Sequence, residues 1–282
     1  MKIPIKELVN SVSEGVSFPR IAVRILKLFE DDSLSAYQLA KAISLDPVLA
    51  AYILKISNSA FYGFKTKVKS LSDAIALIGF EEVRKIVVMV SMKNAFSASD
   101  EFDKILWEHS LAVAVAASEF NFKLKITGDG AAYLMGLLHD IGKVVFKKNE
   151  ELNYVKILKK AYNENVPAKS LEEAEYGYSH ADVGAYLLET WNFDQEIIDA
   201  VGFHHVNFVA LKKDFLKAAA LVSLADYFVN MMGIGKREPV KDLGLINESC
   251  AAKFLQYRND NPVEILNSIH MKFTELKKAF ES

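Results

Sequence analysis

Only one cysteine, Cys250, occurs in the chain, so no intrachain disulfide can form and a reducing, cytoplasmic setting is expected. Long apolar runs are just as scarce. The most apolar segments, IVVMVSM and LAVAVAA, fall far short of the length needed to span a bilayer. The N-terminal MKIPIKELVN holds no apolar stretch of signal-peptide length, so no membrane association is expected. Charge of one sign is missing too: the net charge is -2, with lysines and acids mixed along the chain. That balance gives no electrostatic case for a nucleic-acid partner. The short basic patch of Lys65, Lys67 and Lys69 reads as a solvated loop or helix face. Prolines number only six, and alternating strand patterns bounded by hairpin turns are almost absent, which argues against a β architecture.

What the chain has instead is helical periodicity. Residues 19–30 form an amphipathic pattern, with Ile21, Val23, Ile25, Leu26, Leu28 and Phe29 on the apolar stripe. Ser35 with Gln38 makes a capping-box signature, and Asp46-Pro47 gives an N-cap followed by proline at the first helical position. Further helices are predicted over 72–78, ended by Gly79, and over 81–94. FSASDEF, residues 96–102, is the best internal boundary. Beyond it the pattern predicts a long helix carrying His109 and an apolar helix closed by His139 and Asp140. Gly142 is placed to terminate that helix in a left-handed conformation. Shorter helices follow around 154–163 and 171–176. His180 sits at the start of the next, Asp194 caps one that ends at His204-His205, and Asp226 lies within the one after. The expectation is an all-α fold of two helical lobes, residues 1–95 and 96–232, with a helical extension over 233–282.

Five of the six histidines therefore form an ordered series: His109, His139-Asp140, His180 and His204-His205, closed by Asp226. Nearly all lie in or beside apolar segments. A buried carboxylate without a partner costs several kcal/mol or takes up a proton, so it needs a hydrogen bond, a cation or a metal. Imidazole with carboxylate suits first-row transition metals. The bland alternative is a closed polar cluster, with Asp226 paired to His109 and the other groups hydrogen-bonded locally.

The H…HD…H…HH…D order resembles the HD superfamily of metal-dependent phosphohydrolases. SFPRIAVRILKLF, LDPVLAAYILKISNSAFYGF and SLSDAIALIGFEEVRKIVV narrow the likeness to the first half of an HDOD protein (HD-related output domain). WEHSLAVAVAA, YLMGLLHDIGKVVF, EAEYGYSHADVGAYLLETWNF and the double histidine resemble its second half, so the likeness spans roughly residues 10 to 230. It implies a bacterial signalling module, found alone or attached to receiver or nucleotide-signalling domains; none is evident here, so a stand-alone member is expected.

The resemblance also implies roles. His109, His139, Asp140 and Asp226 match the residues that hold one divalent ion in the enzymes. His180 and His204 or His205 match those that hold a second, with Asp140 as the bridge. The set suits one or two ions of Fe, Mn, Zn, Ni or Co. Two ions would stabilise both the attacking and the leaving oxygen of a phosphoester, with Lys143 touching the phosphate as a point charge. Adjacent residues on a helix point about 100° apart, so His205 could instead face solvent. HDOD proteins are generally regarded as regulatory relatives of the enzymes, without demonstrated hydrolysis. The expected function is a non-catalytic signalling module that binds a protein partner or a small ligand; the alternative is a metal-dependent phosphohydrolase. Cyclic-di-GMP phosphodiesterases of the HD-GYP type follow the double histidine with an acidic residue and a glycine-tyrosine-proline segment. Here HHVNFVAL follows, which argues against that substrate.

Overall fold

A computed structural model of the protein describes residues 3–12, 19–29, 31, 33–95, 100–164, 166–211, 213–234, 243–259 and 261–281. These are overwhelmingly helical, with no strand among them, as the all-α expectation requires. None of the described helices is long and apolar enough to cross a membrane. The chain divides into two compact units. One comprises Met1–Ser17 with Phe96–Leu266, the other Phe18–Ala95 with Asn267–Ser282. Of the segment 96–102, residues 96–99 lie outside the described residues, as does Phe18.

Helix α1 (Ile5–Ser11) belongs to the larger unit. The smaller unit is built from α2 (Arg20–Leu28), α3 (Ala36–Ile43), α4 (Pro47–Ser57), α5 (Leu71–Ile78) and α6 (Phe80–Ala95). Its helix starts are set by the capping residues. Ser35 and Gln38 close the capping box on α3, and the Asp46 carboxylate accepts from the Val48 and Leu49 amides at 3.0 Å each. Gly79 ends α5 at φ 87°, a conformation that side-chain-bearing residues avoid. Ile25, Leu39, Ile43, Ile53, Ile56 and Val83 are fully buried and form the core. The NSAFYGF loop is held by its own chemistry. Asn58 Nδ2 donates to the Leu54 and Val68 carbonyls at 2.7 and 2.9 Å, its Oδ1 accepts from the Val68 amide at 2.8 Å, and Gly63 takes φ 61°.

The larger unit continues with α7 (Glu101–Leu124), α8 (Asp129–Leu138), α9 (Ile141–Asn149), α10 (Glu151–Asn163), α11 (Ala168–Tyr176) and α12 (His180–Thr190). It is completed by α13 (Gln195–Phe203), α14 (Phe208–Leu211), α15 (Lys217–Met231) and α16 (Cys250–Leu255); α17 (Pro262–Glu281) follows. The long α7 is the spine, against which α8 and α15 pack. Small side chains let these helices approach closely. Ala112, Ala114 and Ala116 on α7 and Ala218, Ala219 and Ala220 on α15 are all buried. At Gly136 of α8, an added Cβ would stand 2.7 Å from the Val113 carbonyl oxygen.

Gly142 corrects the expectation placed on it. It does not end a helix and its φ is not positive; the glycines with positive φ among the described residues are Gly63, Gly79, Gly177 and Gly233. Asp140 breaks the helix instead, and α9 restarts at Ile141. Gly142 serves close packing: a Cβ there would lie 2.0 Å from the His180 carbonyl oxygen and 2.9 Å from the Gly184 amide nitrogen on α12. Asp194 does stand at the N-terminus of α13, but its side chain makes no capping hydrogen bond.

Candidate metal centre

The close contacts between helices bring side chains from several of them to one region. His109 comes from the middle of α7, His139 and Asp140 from the junction of α8 and α9, and His180 from the first turn of α12. His204 and His205 follow the last turn of α13, and Asp226 lies within α15. All seven residues singled out in the sequence meet in one cluster. His109 Nε2 is 2.9 Å from Asp226 Oδ1 and 3.9 Å from Asp140 Oδ2, and His139 Nε2 is 3.3 Å from Asp140 Oδ2. On the other side of Asp140, His180 Nε2 is 3.2 Å from Oδ1 and 3.0 Å from His205 Nε2. Ligand-type atoms of His109, His139 and Asp140 lie within 4.8 Å of one another, and so do those of His180, His204 and His205. Asp140 thus turns one carboxylate oxygen to each set. His205, although exposed as a residue, directs Nε2 inward rather than to solvent.

Backbone carbonyls fix how two of these rings face. His139 Nδ1 donates to the Gly136 carbonyl at 2.8 Å and His204 Nδ1 to the Val201 carbonyl at 2.6 Å. With the proton on Nδ1, each Nε2 presents a lone pair to the centre. Both Nε2 atoms, and Asp140 Oδ1, are buried with no hydrogen-bond partner among the described residues. Buried acceptors held by no hydrogen bond, two of them only by longer His–Asp contacts, are well suited to a cation. The His109–Asp226 contact is different. It is a closed hydrogen bond, supported by Asn230 Nδ2 donating to Asp226 Oδ1 at 2.8 Å, as the bland alternative foresaw. The donor chemistry of imidazole and carboxylate therefore fits a first-row divalent ion, with His109, His139 and Asp140 as one candidate set, beside Asp226 at 2.9 Å from His109, and His180, His204 and His205 as another, beside Asp140 at 3.2 Å from His180.

The sequence did not single out Glu172. This fully buried residue of α11 accepts from the His180 backbone amide at 2.8 Å, from His180 Nδ1 at 2.6 Å and from the Tyr154 hydroxyl at 2.6 Å. It fixes the His180 ring in the way a carboxylate orients a metal-bound imidazole. The available signal was faint: Glu172 stands four residues after Ala168 and next to Leu171, on the inward stripe of its helix, whereas Glu173 and Glu175 do not.

Charges are tightly balanced in the cluster. Burial opposes ionisation of Asp140, but the His139 imidazole and the Lys143 ammonium, 2.6 Å from Oδ2, hold its carboxyl well below the usual range. Burial opposes ionisation of Asp226 as well, and the hydrogen bond from His109 overrides it. Burial alone would favour neutral His139, yet Asp140 and Asp226 raise its pKa. Burial and the neighbouring His205 push His204 far down. A cation entering here displaces protons that the carboxylates otherwise attract.

Glu172 provides a test by pH. Burial opposes its ionisation, but His180 and Lys143 bring its pKa from 4.5 down to about 2. A depressed carboxyl stabilises the fold above its unfolded pKa and loses that contribution as pH falls through the folded value. Glu172→Gln is expected to cost on the order of 3 kcal/mol at pH 7. The difference from the unsubstituted protein should shrink as pH falls from about 4.5 towards 2, as followed by urea unfolding. A penalty that stays constant over that window contradicts the assignment.

A cavity of about 320 Å³ opens onto the cluster, reaching His109, Asp140, Lys143, Tyr154 and Asn230 at its inner end. Lys143, expected to meet phosphate, instead pairs with Asp140 at 2.6 Å while lining this cavity.

Comparisons with known proteins bear on the fold and the family. A protein from Treponema pallidum (strain Nichols), itself uncharacterized, is 25% identical over 202 residues, 70% of this chain but 39% of its own length. The chain thus spans about two fifths of that curated relative. An HDOD domain protein of unknown function from Geobacter sulfurreducens shares the fold with a TM-score of 0.78 at 22% identity, over 97% of this chain and 96% of that one. A Shewanella amazonensis protein, provisionally described as a phosphohydrolase, gives 0.76 at 21% identity over 96% and 97%. The HDOD domain family model matches residues 16–207, well over half the chain and inclusive of every cluster residue but Asp226. By that match the chain belongs to the HDOD family.

Proposed function

We propose that this protein is a metal-binding HDOD signalling module. Its His/Asp cluster holds one or two divalent transition-metal ions, and the state of that centre is passed to a protein partner. The observation that carries the reading is the set of buried ligand atoms, His139 Nε2, His204 Nε2 and Asp140 Oδ1, that make no hydrogen bond among the described residues, two of them facing only His–Asp contacts of 3.3 and 3.2 Å across Asp140. A relic site under no demand for a cation would be expected to close these groups on each other, as His109 and Asp226 have done. Bound divalent ions would supply Lewis-acid stabilisation of a phosphoryl or carboxyl oxygen. His139 and His204 are oriented by backbone carbonyls, His180 by Glu172, and Lys143 places a positive charge where the cavity meets Asp140.

A second reading, a metal-dependent phosphohydrolase, is favoured by one specific observation. Asp140 faces both ligand sets at once, and the cavity reaches it. Steady-state assays of the Mn²⁺-loaded protein against nucleotides and phosphomonoesters separate the two. The signalling reading expects no turnover above that of His139→Ala. Turnover that disappears in His139→Ala assigns the protein to the hydrolases.

A further inference from the structure

The cavity above the cluster has two unlike halves. Its inner end is polar: His109, Asp140, Lys143 and Asn230. Its walls carry an apolar stretch from faces of α7 and α10, with the charged Glu101 and Lys159 also lining the cavity. On α7, Phe102, Ile105 and Leu106 are spaced seven, four and three residues from His109, so one stripe runs from the rim down to the cluster. On α10, Leu158 stands one turn beyond Tyr154. None of these four apolar residues is buried in the core, unlike Trp107 and Leu111 on the same helix. Half-exposed apolar side chains lining a recess are the common lining of a small-molecule site.

Charge narrows the ligand. Lys147, also at the cavity, is committed to Asp100 and Asp103 at 2.5 and 2.6 Å, so its ammonium is already balanced. Lys143 pairs directly with Asp140 at 2.6 Å, with the Glu172 and Asp226 carboxylates as more distant counter-charges. If Asp140 shares its charge with divalent ions, the Lys143 ammonium is left facing the recess. The inner end then presents concentrated positive charge suited to a compact dianion. At about 320 Å³ the recess lies at the small end of ligand sites, too small for a dinucleotide.

We infer that this cavity binds a small organic phosphate, its phosphoryl group at His109, Asp140 and Lys143 and an apolar or aryl group against Phe102, Leu106 and Leu158. The inference rests on the metal reading for the head group and on the cavity walls for the tail. The test is titration calorimetry of the Mn²⁺-loaded full chain with phenylphosphonate and methylphosphonate, with metal content measured on the same samples. Phenylphosphonate should bind about tenfold tighter or better, the factor expected from sheltering one aryl group. Leu106→Gln and Leu158→Gln should bring that ratio below about threefold with metal content unchanged, while Lys143→Met weakens both ligands. Equal binding of the two phosphonates by metal-loaded protein overturns the inference and leaves the metal reading intact. Selective binding of phenylphosphonate by protein that loads no metal upholds the apolar recess and overturns the metal reading. Failure to load metal together with failure to bind either compound overturns both. Should Leu106→Gln or Leu158→Gln unfold, the ratio measured on the unsubstituted protein still decides.

Discussion

Protein purified without chelator and passed through gel filtration after exposure to Mn²⁺ or Fe²⁺ is expected to retain up to two ions per chain, and Asp140→Asn to retain almost none. The expectation follows from the position of Asp140 between the two ligand sets, with Oδ2 3.3 Å from His139 Nε2 and Oδ1 3.2 Å from His180 Nε2. An amide offers one neutral oxygen in place of two charged ones, so both ions lose a ligand at once. Residues that merely orient metal ligands cost about 10–100-fold in affinity when removed, and loss of a shared ligand should exceed that. His204→Ala should be milder, removing one ion and sparing the other. His109 belongs to the opposite set, so His109→Ala should remove the complementary ion. Elemental analysis of the four proteins reads this directly. Unsubstituted protein that retains no ion after reloading sinks the metal assignment, whatever the variants do.

The largest stability effect is expected at a residue with no side chain. Gly142→Ala should destabilise the fold by about 3 kcal/mol or more, or prevent folding, because its methyl group would lie 2.0 Å from a backbone oxygen of α12. Nothing flexible is available to yield there: the nearest atoms are the His180 carbonyl and the Gly184 amide nitrogen. Gly128→Ala is the control, since a Cβ at Gly128 meets nothing within 4 Å, and its effect should stay below about 1 kcal/mol. Urea unfolding of both variants checks the difference. Equal stabilities for Gly142→Ala and Gly128→Ala would show that α9 and α12 can separate without cost.

The helices were legible because their signals are local. Ser35 with Gln38, Asp46 with Pro47, and Gly79 each act within one turn, and each does in the structure what its chemistry predicts. The seven His and Asp residues were legible as a group because polar groups in apolar helices are conspicuous. Gly142 was misread because a glycine near a break in a helix has two uses, and only the position of α12 shows which applies. Glu172 went unnoticed because it sits among other glutamates on a polar-looking helix, and burial singles it out only once α11 meets α12. The apolar recess was invisible for a similar reason: Phe102, Ile105 and Leu106 carry a core-like pattern, and nothing in their spacing reveals that the stripe stays half uncovered.

The crossing at Gly142 has a mechanical consequence. The backbones of α9 and α12 touch where no side chain intervenes, and Lys143 and His180 ride on those two helices beside the contact. The two helices cannot approach any closer, because no compressible layer lies between them. A push on Lys143 or Asp140 towards α12 would meet backbone beside His180, whose ring Glu172 holds from behind. A displacement directed along that line would carry the two helices together, so the place to look for motion is at the outer ends of α9 and α12.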